Sequence, residues 1–208
     1  ISNKQFILNG YSNNQLIING PKNYLEIFEN KLFTITGNGM LSFINLDDLN
    51  ADQLKLNIIR TNINKVLGYK YIAENSRFIL DLFIKNDEIF ISYVNEIKKD
   101  CFNTSIMKGK LNLKKINFKE YFVSKECIGT ENDYNEFRLQ QSGGAISDFK
   151  NDDILLATGE FGYRDKAQDK NSIFGKILKI TKKGKYEILS MGHRNPQGLF
   201  YNNIDNII

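Results

Sequence analysis

Short apolar and β-branched runs recur along the whole chain, mostly bounded by Gly, Asn, Asp or Lys. They cover Gln15–Ile18, Leu32–Ile35, Leu41–Ile44, Ile89–Val94, Ile154–Ala157, Ile177–Ile180 and Tyr186–Leu189. Runs of this length between turn-forming residues predict β-strands, and both prolines fall outside them. Helical periodicity is weak. Asp47–Leu56 has a capping residue and suitable composition, yet it is short and flanked by turn signals, so it reads as a loop or a single helical turn.

Laid side by side, the strand pairs form a loose repeat. Leu32–Gly37 leads to Gly39–Ile44, Ile89–Val94 to Met107–Leu113, and Ile154–Gly159 to Phe174–Ile180. Units that start at 32, 89 and 154 suit four-stranded propeller blades with long loops better than a sandwich. The units share pattern and not residues, which leaves the sandwich as the competing architecture. The expected fold is all-β, a single partial β-propeller domain over residues 1–208 with about three blades. An open part-propeller exposes strand edges, so the chain is expected to be part of a longer protein or to cover its edges.

With 208 residues, 41% of them hydrophobic and 12% aromatic, the chain can bury a sizeable core. The run from Phe78 to Ile84 is interrupted by Asp81 and falls well short of the ~18 apolar residues that a membrane span needs. The net charge of +4 includes Lys-Lys pairs at 98 and 99, 114 and 115, and 182 and 183, each near turn-like or acidic residues. Such dispersed charge reads as solvated loop lysines and argues against a nucleic-acid surface. The chain begins at Ile1 with neither an initiator Met nor a leader, which leaves its compartment open. Cys101 and Cys127 flank two expected strands, Thr104–Leu113 and Ile116–Val123, a layout that suits either a disulfide or two buried thiols.

The most specific segment is Gly192-His193-Arg194-Asn195-Pro196-Gln197-Gly198-Leu199. Glycines mark both ends of this turn, a proline stiffens it, and four polar side chains can donate or accept. On composition alone it is equally a structured connection between strands. It resembles the corresponding loop of the soluble, pyrroloquinoline-quinone-dependent glucose and aldose dehydrogenases, the glucose/sorbosone dehydrogenase family. The resemblance continues upstream through Gln141-Ser142-Gly143-Gly144, Ala157-Thr158-Gly159-Glu160, Ala167-Gln168-Asp169 and Phe174-Gly175-Lys176-Ile177, in the family's order. It covers residues 140 to 200 well and the first 130 only faintly.

The resemblance implies a six-bladed propeller that oxidises an aldose at C1 and passes electrons to an acceptor, in a periplasmic or secreted setting. Arg194 and Asn195 would then contact the quinone, whose carboxylates and carbonyls suit cationic and amide donors. The family's general base is a histidine before a Gly-Gly-Arg-like turn, and that alignment puts Gln141 in the histidine's place and Ala145 in the arginine's. Gln141 remains a candidate substrate contact, but glutamine does not titrate near physiological pH. The acid that partners the family's histidine corresponds to Glu160. It serves as a substitute base if burial raises its pKa, and otherwise reads as a surface loop glutamate. His193, the chain's one histidine, is assigned a hydrogen-bonding role. The family's calcium ligands lie downstream of the matching loop. Asp165 and Asp169 do not have the spacing of a calcium-binding EF-hand and read as solvated. Two functions follow: a quinone-dependent sugar dehydrogenase, or a catalytically silent propeller that binds a carbohydrate or protein.

Overall fold

A computed structural model describes residues 23–51, 55–67, 79–130 and 136–208, so the expected strand Gln15–Ile18 lies outside the described residues. Three antiparallel sheets follow one another along the chain. The first contains β1 (Asn23–Phe28), β2 (Lys31–Thr36), β3 (Leu41–Asn45) and β4 (Asn57–Thr61). The second contains β5 (Ile79–Lys85), β6 (Glu88–Lys98) and β7 (Cys101–Lys110). Its outer edge is made by two short pieces, β9 (Lys119–Phe122) and β10 (Ile128–Gly129), both paired with β7. A further short strand, β8 (Lys115–Ile116), instead runs parallel to β4 and ties the first sheet to the second. The third sheet is an up-and-down meander of β11 (Gly143–Asp148), β12 (Ile154–Thr158), β13 (Lys176–Ile180) and β14 (Tyr186–Met191).

The first strand of each sheet meets the first strand of its neighbour, because β5 packs against both β1 and β11. Sheets that converge on their first strands are blades of a β-propeller. The repeat visible in the sequence is the central pair of each blade, β2–β3, β6–β7 and β12–β13. Burial on both faces is fullest in β6 and β12, which carry the longest apolar runs, whereas β2 alternates buried with half-buried positions. All five residues of β12 are buried.

One core cluster fills the spaces between the blades, with Phe33, Ile63, Tyr93, Phe118, Phe122, Phe161 and Phe174 among its members. A smaller cluster of Ala145, Leu155, Ala157, Ile177 and Tyr201 lies on the other face of the third blade, where Leu199 packs against it. Residues 199–201 thus cover part of that face.

The remaining expectations meet mixed outcomes. In the 47–56 stretch, Leu46–Asn50 is a single 3-10 turn, and residues 52–54 lie outside the described residues. Two five-residue helices, α1 (Ile63–Leu67) and α2 (Arg164–Gln168), were not expected, being too short to show periodicity. The paired lysines at 98, 99, 114, 115, 182 and 183 are all exposed. Cys101 and Cys127 form a disulfide that joins β7 to the strap leading into the third blade. Among the described residues no helix is long and apolar enough to cross a membrane.

Candidate functional site

The third blade has hairpin turns at one end and longer connections at the other. In the third blade the long connections are the entry before β11, the β12–β13 loop and the segment after β14, and they carry Gln141, Glu160 and Arg194-Asn195 respectively. Backbone hydrogen bonds zip the three together. Gly159 donates to Ser142 O at 2.8 Å, Phe161 to Gln141 O at 3.0 Å, and Glu160 to Arg194 O at 3.0 Å. His193 donates to Gly175 O at 3.0 Å, and Gly175 in turn donates to Gly159 O at 3.2 Å.

So close an approach explains the glycines. A Cβ at Gly159 would stand 2.0 Å from Gln141 O, and one at Gly175 would stand 2.3 Å from His193 O. Such distances are impossible without moving backbone. The sequence segments that looked functional are therefore contiguous in space because glycine lets three main chains touch.

Side chains of the second blade support the Gln141–Gly144 turn from below. Thr104 Oγ1 donates to Ser142 O at 2.6 Å, and Ser92 Oγ donates to Gly144 O at 2.5 Å. From above, the Gly143 N–H donates to Asn195 Oδ1 at 3.0 Å. That bond uses the carbonyl side of the Asn195 amide and leaves its NH₂ as a donor. Ala145, in the position of the family's arginine, is 5% exposed within the small core cluster and offers no polar group.

Glu160 is 1% exposed, which overturns the expectation of a solvated loop glutamate. It is buried because its own N–H is committed to Arg194 O while Phe161 and Tyr163, both buried, anchor the residues after it. Neither carboxylate oxygen closes a well-formed hydrogen bond. The nearest cation is Arg194, whose Nε lies 3.7 Å from Glu160 Oε1. Burial raises the Glu160 pKa, and Arg194, Arg164, the Gly162 amide and Arg138 work against that rise. Gln141 Oε1 is likewise buried without a donor. The site thus holds three buried acceptor oxygens without a well-formed hydrogen bond, with the Gly162 amide and Arg194 near the carboxylate, and such oxygens attract a ligand's hydroxyl or N–H groups.

Arg194 itself is half exposed and tethered only at that distance. His193 Nε2 and Ser190 Oγ are hydrogen-bonded at 2.9 Å, and burial, with the nearby Lys176, lowers the imidazole pKa. Asp165 and Asp169 are exposed. Among the described residues no group of three or more His, Cys, Asp or Glu side chains is placed to hold a metal ion.

Two contributors to the site were not read from the sequence. Glu126 accepts from Ser172 Oγ and the Ile173 N–H, both at 2.8 Å, and so fixes the β12–β13 loop to the strap that carries Cys127. Lys176 is wholly buried. The signal for it was present: it is a lysine inside the apolar run Ile173–Ile180, where alternation turns it inward.

Residues 78–208 match the model of the family described as Glucose / Sorbosone dehydrogenase. No curated protein sequence matches the chain. Among solved structures, a glucose dehydrogenase is 19% identical with a TM-score of 0.66, covering 88% of this chain and 59% of its own. The soluble aldose sugar dehydrogenase of Escherichia coli, in its apo form, is 19% identical with a TM-score of 0.62, covering 89% of this chain and 55% of its own. The PQQ-bound aldose sugar dehydrogenase of Streptomyces coelicolor is 14% identical with a TM-score of 0.58, covering 89% of this chain and 60% of its own. At these identities the likeness is one of fold, and the chain spans little more than half the length of those proteins.

Proposed function

The chain belongs to the glucose/sorbosone dehydrogenase family, and from that premise we propose that the whole protein is a quinone-dependent oxidoreductase that oxidises an aldose at C1. The observation that carries this reading is Glu160: a buried carboxylate without a well-formed hydrogen bond, near an exposed arginine, with a buried, unpartnered glutamine oxygen on the adjoining turn.

The loop residues fit pyrroloquinoline quinone. Arg194 has an exposed guanidinium held no closer than 3.7 Å to Glu160, and so is available to pair with a carboxylate of the cofactor. Asn195, oriented by the Gly143 N–H, presents its NH₂ in a fixed direction for a carbonyl or carboxylate oxygen. When bound, the quinone supplies the acceptor for the hydride that leaves the sugar's C1. Glu160, as the ionised carboxylate with a raised pKa, takes the C1 hydroxyl proton and later releases it to water. Gln141 orients that hydroxyl by hydrogen bonding, since its amide cannot carry the proton. Calcium enters through the family resemblance alone, which puts its ligands downstream of the matching loop. The sugar and an electron acceptor are the proposed partners, and the Cys101–Cys127 disulfide supports a periplasmic or secreted location.

A second reading, a silent propeller that binds a carbohydrate or protein partner, is favoured by a specific feature. Gln141 stands where the base is expected, and both Glu160 oxygens are sealed from solvent. One experiment separates the two. The full-length protein is supplied with quinone and calcium and assayed for dye reduction with a panel of aldoses. Cofactor-dependent reduction supports the dehydrogenase. No reduction with any aldose, together with activity gained in Gln141→His, establishes the silent propeller.

A further inference from the structure

Lys176 opens β13 and has no exposed surface. Among the described residues no carboxylate lies within ion-pair distance of it; Asp169 and Glu126 act on it only from farther away. Its ammonium instead donates to three backbone carbonyls, Phe174 O at 2.6 Å, Lys166 O at 2.8 Å and Ala167 O at 2.9 Å. Three carbonyls match the three donors of an ammonium group, and no other side chain offers three from a single atom. Burial nevertheless lowers its pKa, so the charge is held against its own solvation. An apolar side chain of similar length would fill the same space without that penalty.

The three carbonyls belong to the surfaces on which the ligand loop rests. Ala167 O also accepts the Gly192 N–H at 2.9 Å. Phe174 precedes Gly175, whose carbonyl accepts the His193 N–H at 3.0 Å. Lys166 and Ala167 lie in the last turn of α2, where a cation also meets the favourable end of the helix dipole. One ammonium therefore locks α2 to the turn before β13, and the chain from Gly192 to His193 hangs from both. The next residue is Arg194.

We propose that Lys176 is the positioning residue of the ligand loop: by tying Lys166, Ala167 and Phe174 together, it sets the height and direction at which Arg194 and Asn195 meet an anionic ligand. This rests on the reading of that loop as the quinone site, but its local consequences are visible without any ligand. The charge of Lys176 also helps to keep the His193 imidazole neutral, which makes His193 a reporter of the arrangement.

The test uses the full-length protein with Lys176→Met and Lys176→Gln. Three quantities are read: hydrogen exchange in peptides spanning residues 190–198, the His193 imidazole pKa assigned by its loss in His193→Gln, and quinone affinity by titration. Lys176→Met is expected to speed loop exchange and weaken quinone binding by about tenfold, the size of one lost charge-assisted hydrogen bond. The His193 pKa rises in both variants, and protection of the first and second blades is unchanged. Lys176→Gln, which keeps two donors without the charge, is expected to give intermediate exchange, and carries the test if the methionine variant does not fold. Loop exchange and His193 pKa that do not move would overturn the proposal, and so would a loss of protection spread evenly over all three blades. If the loop reporters respond while the native protein binds no quinone, the cofactor reading falls and the positioning role stands.

Discussion

The two ends of the third blade treat the same kinds of side chain in opposite ways. At the hairpin end, Asp152 is half exposed, and its carboxylate accepts from Lys182 at 2.6 Å and from Asn86 at 3.1 Å. Those partners hold its pKa below the usual carboxylate range. Across a shared groove the second blade faces that end with Lys85, which pairs with Asp148, and with Lys108, which pairs with Glu88 at 2.9 Å while lying 4.6 Å from the centroid of the Tyr121 ring. At the loop end, Glu160 and Lys176 are buried, neither has an ion pair closer than 3.7 Å, and each pKa is shifted toward the neutral form. Charges at the hairpin end lie beside opposite charges whose carboxylates stay in water, where they cost little and contribute little. Charges at the loop end are stored against desolvation, which selection for folding does not favour and selection for ligand binding does. Substitutions at the two ends should therefore differ in sign as well as in size.

The largest effect is expected at Glu160. Glu160→Gln keeps the shape and removes the charge, so sugar-dependent dye reduction should fall by about 10²- to 10⁴-fold, the range for losing a general base. Stability should move the other way. A carboxyl group whose pKa is raised on folding costs stability as pH rises through that pKa, so the glutamine variant should gain in denaturation midpoint over the native protein, and the gain should widen with pH. A stability loss at every pH would break the contrast between the two ends.

Next comes Gly159→Ala. The added Cβ meets the Gln141 carbonyl and forces apart two of the three zipped main chains. A destabilisation of about 3 kcal/mol is expected in chemical denaturation, in line with backbone overpacking. Alanine at Gly198, where a Cβ meets nothing within 4 Å, is the control and should be silent.

Gly159 also marks how far the sequence could be read. Its neighbours in the chain announced a turn, but only the fold shows that the turn is packed on another backbone. The blade count was legible because each blade has a middle strand rich in apolar and β-branched residues, β2, β6 and β12, bounded by turn formers. The inner strands were not: β1 reads Asn-Tyr-Leu-Glu-Ile-Phe and β11 reads Gly-Gly-Ala-Ile-Ser-Asp, with polar or small residues where neighbouring blades or a turn meet them. Within the site, the positions of Gln141, Glu160, Arg194 and Asn195 were visible as motif. The burial of Glu160 was not, since it depends on a hydrogen bond between residues 160 and 194. Lys176 went unassigned because its partners are main-chain carbonyls: the apolar run marks it as turned inward but does not show what receives its ammonium.

The seam where the inner strands β1, β5 and β11 meet provides an intermediate effect. Asp81 on β5 accepts from the Ile146 N–H at 2.7 Å and the Leu82 N–H at 2.9 Å, yet burial still pushes its pKa up to about 6. Glu26 on β1 is pushed up to about 7, first by burial and then by the charge of Asp81, against the pull of the Ile84 amide. Both pKa values are raised on folding, so their contribution is present below the ordinary carboxylate pKa of about 4 and is lost as pH rises through about 6 to 7. The thermal midpoint should fall across that window. Glu26→Gln should flatten the fall, and an unchanged slope would show that the seam behaves like the solvated hairpin end.

The smallest effects belong to that hairpin end. Lys108→Ala removes an ion pair with Glu88 and the ammonium over the Tyr121 ring, and at this exposure the cost should be about 1 kcal/mol or less and should shrink in high salt. Asp152→Asn should leave the denaturation midpoint nearly where it was, because asparagine keeps one acceptor oxygen for Asn86 or Lys182, the exposed ion pair it loses contributes little, and it tolerates the left-handed backbone found at this position. Neither change should alter quinone affinity, since the loops that carry Arg194 and Asn195 leave the opposite end of the blade. A hairpin-end substitution that weakened quinone binding without changing stability would mean that the two ends are coupled through β12 and β13, and the division of labour within the blade would have to be abandoned.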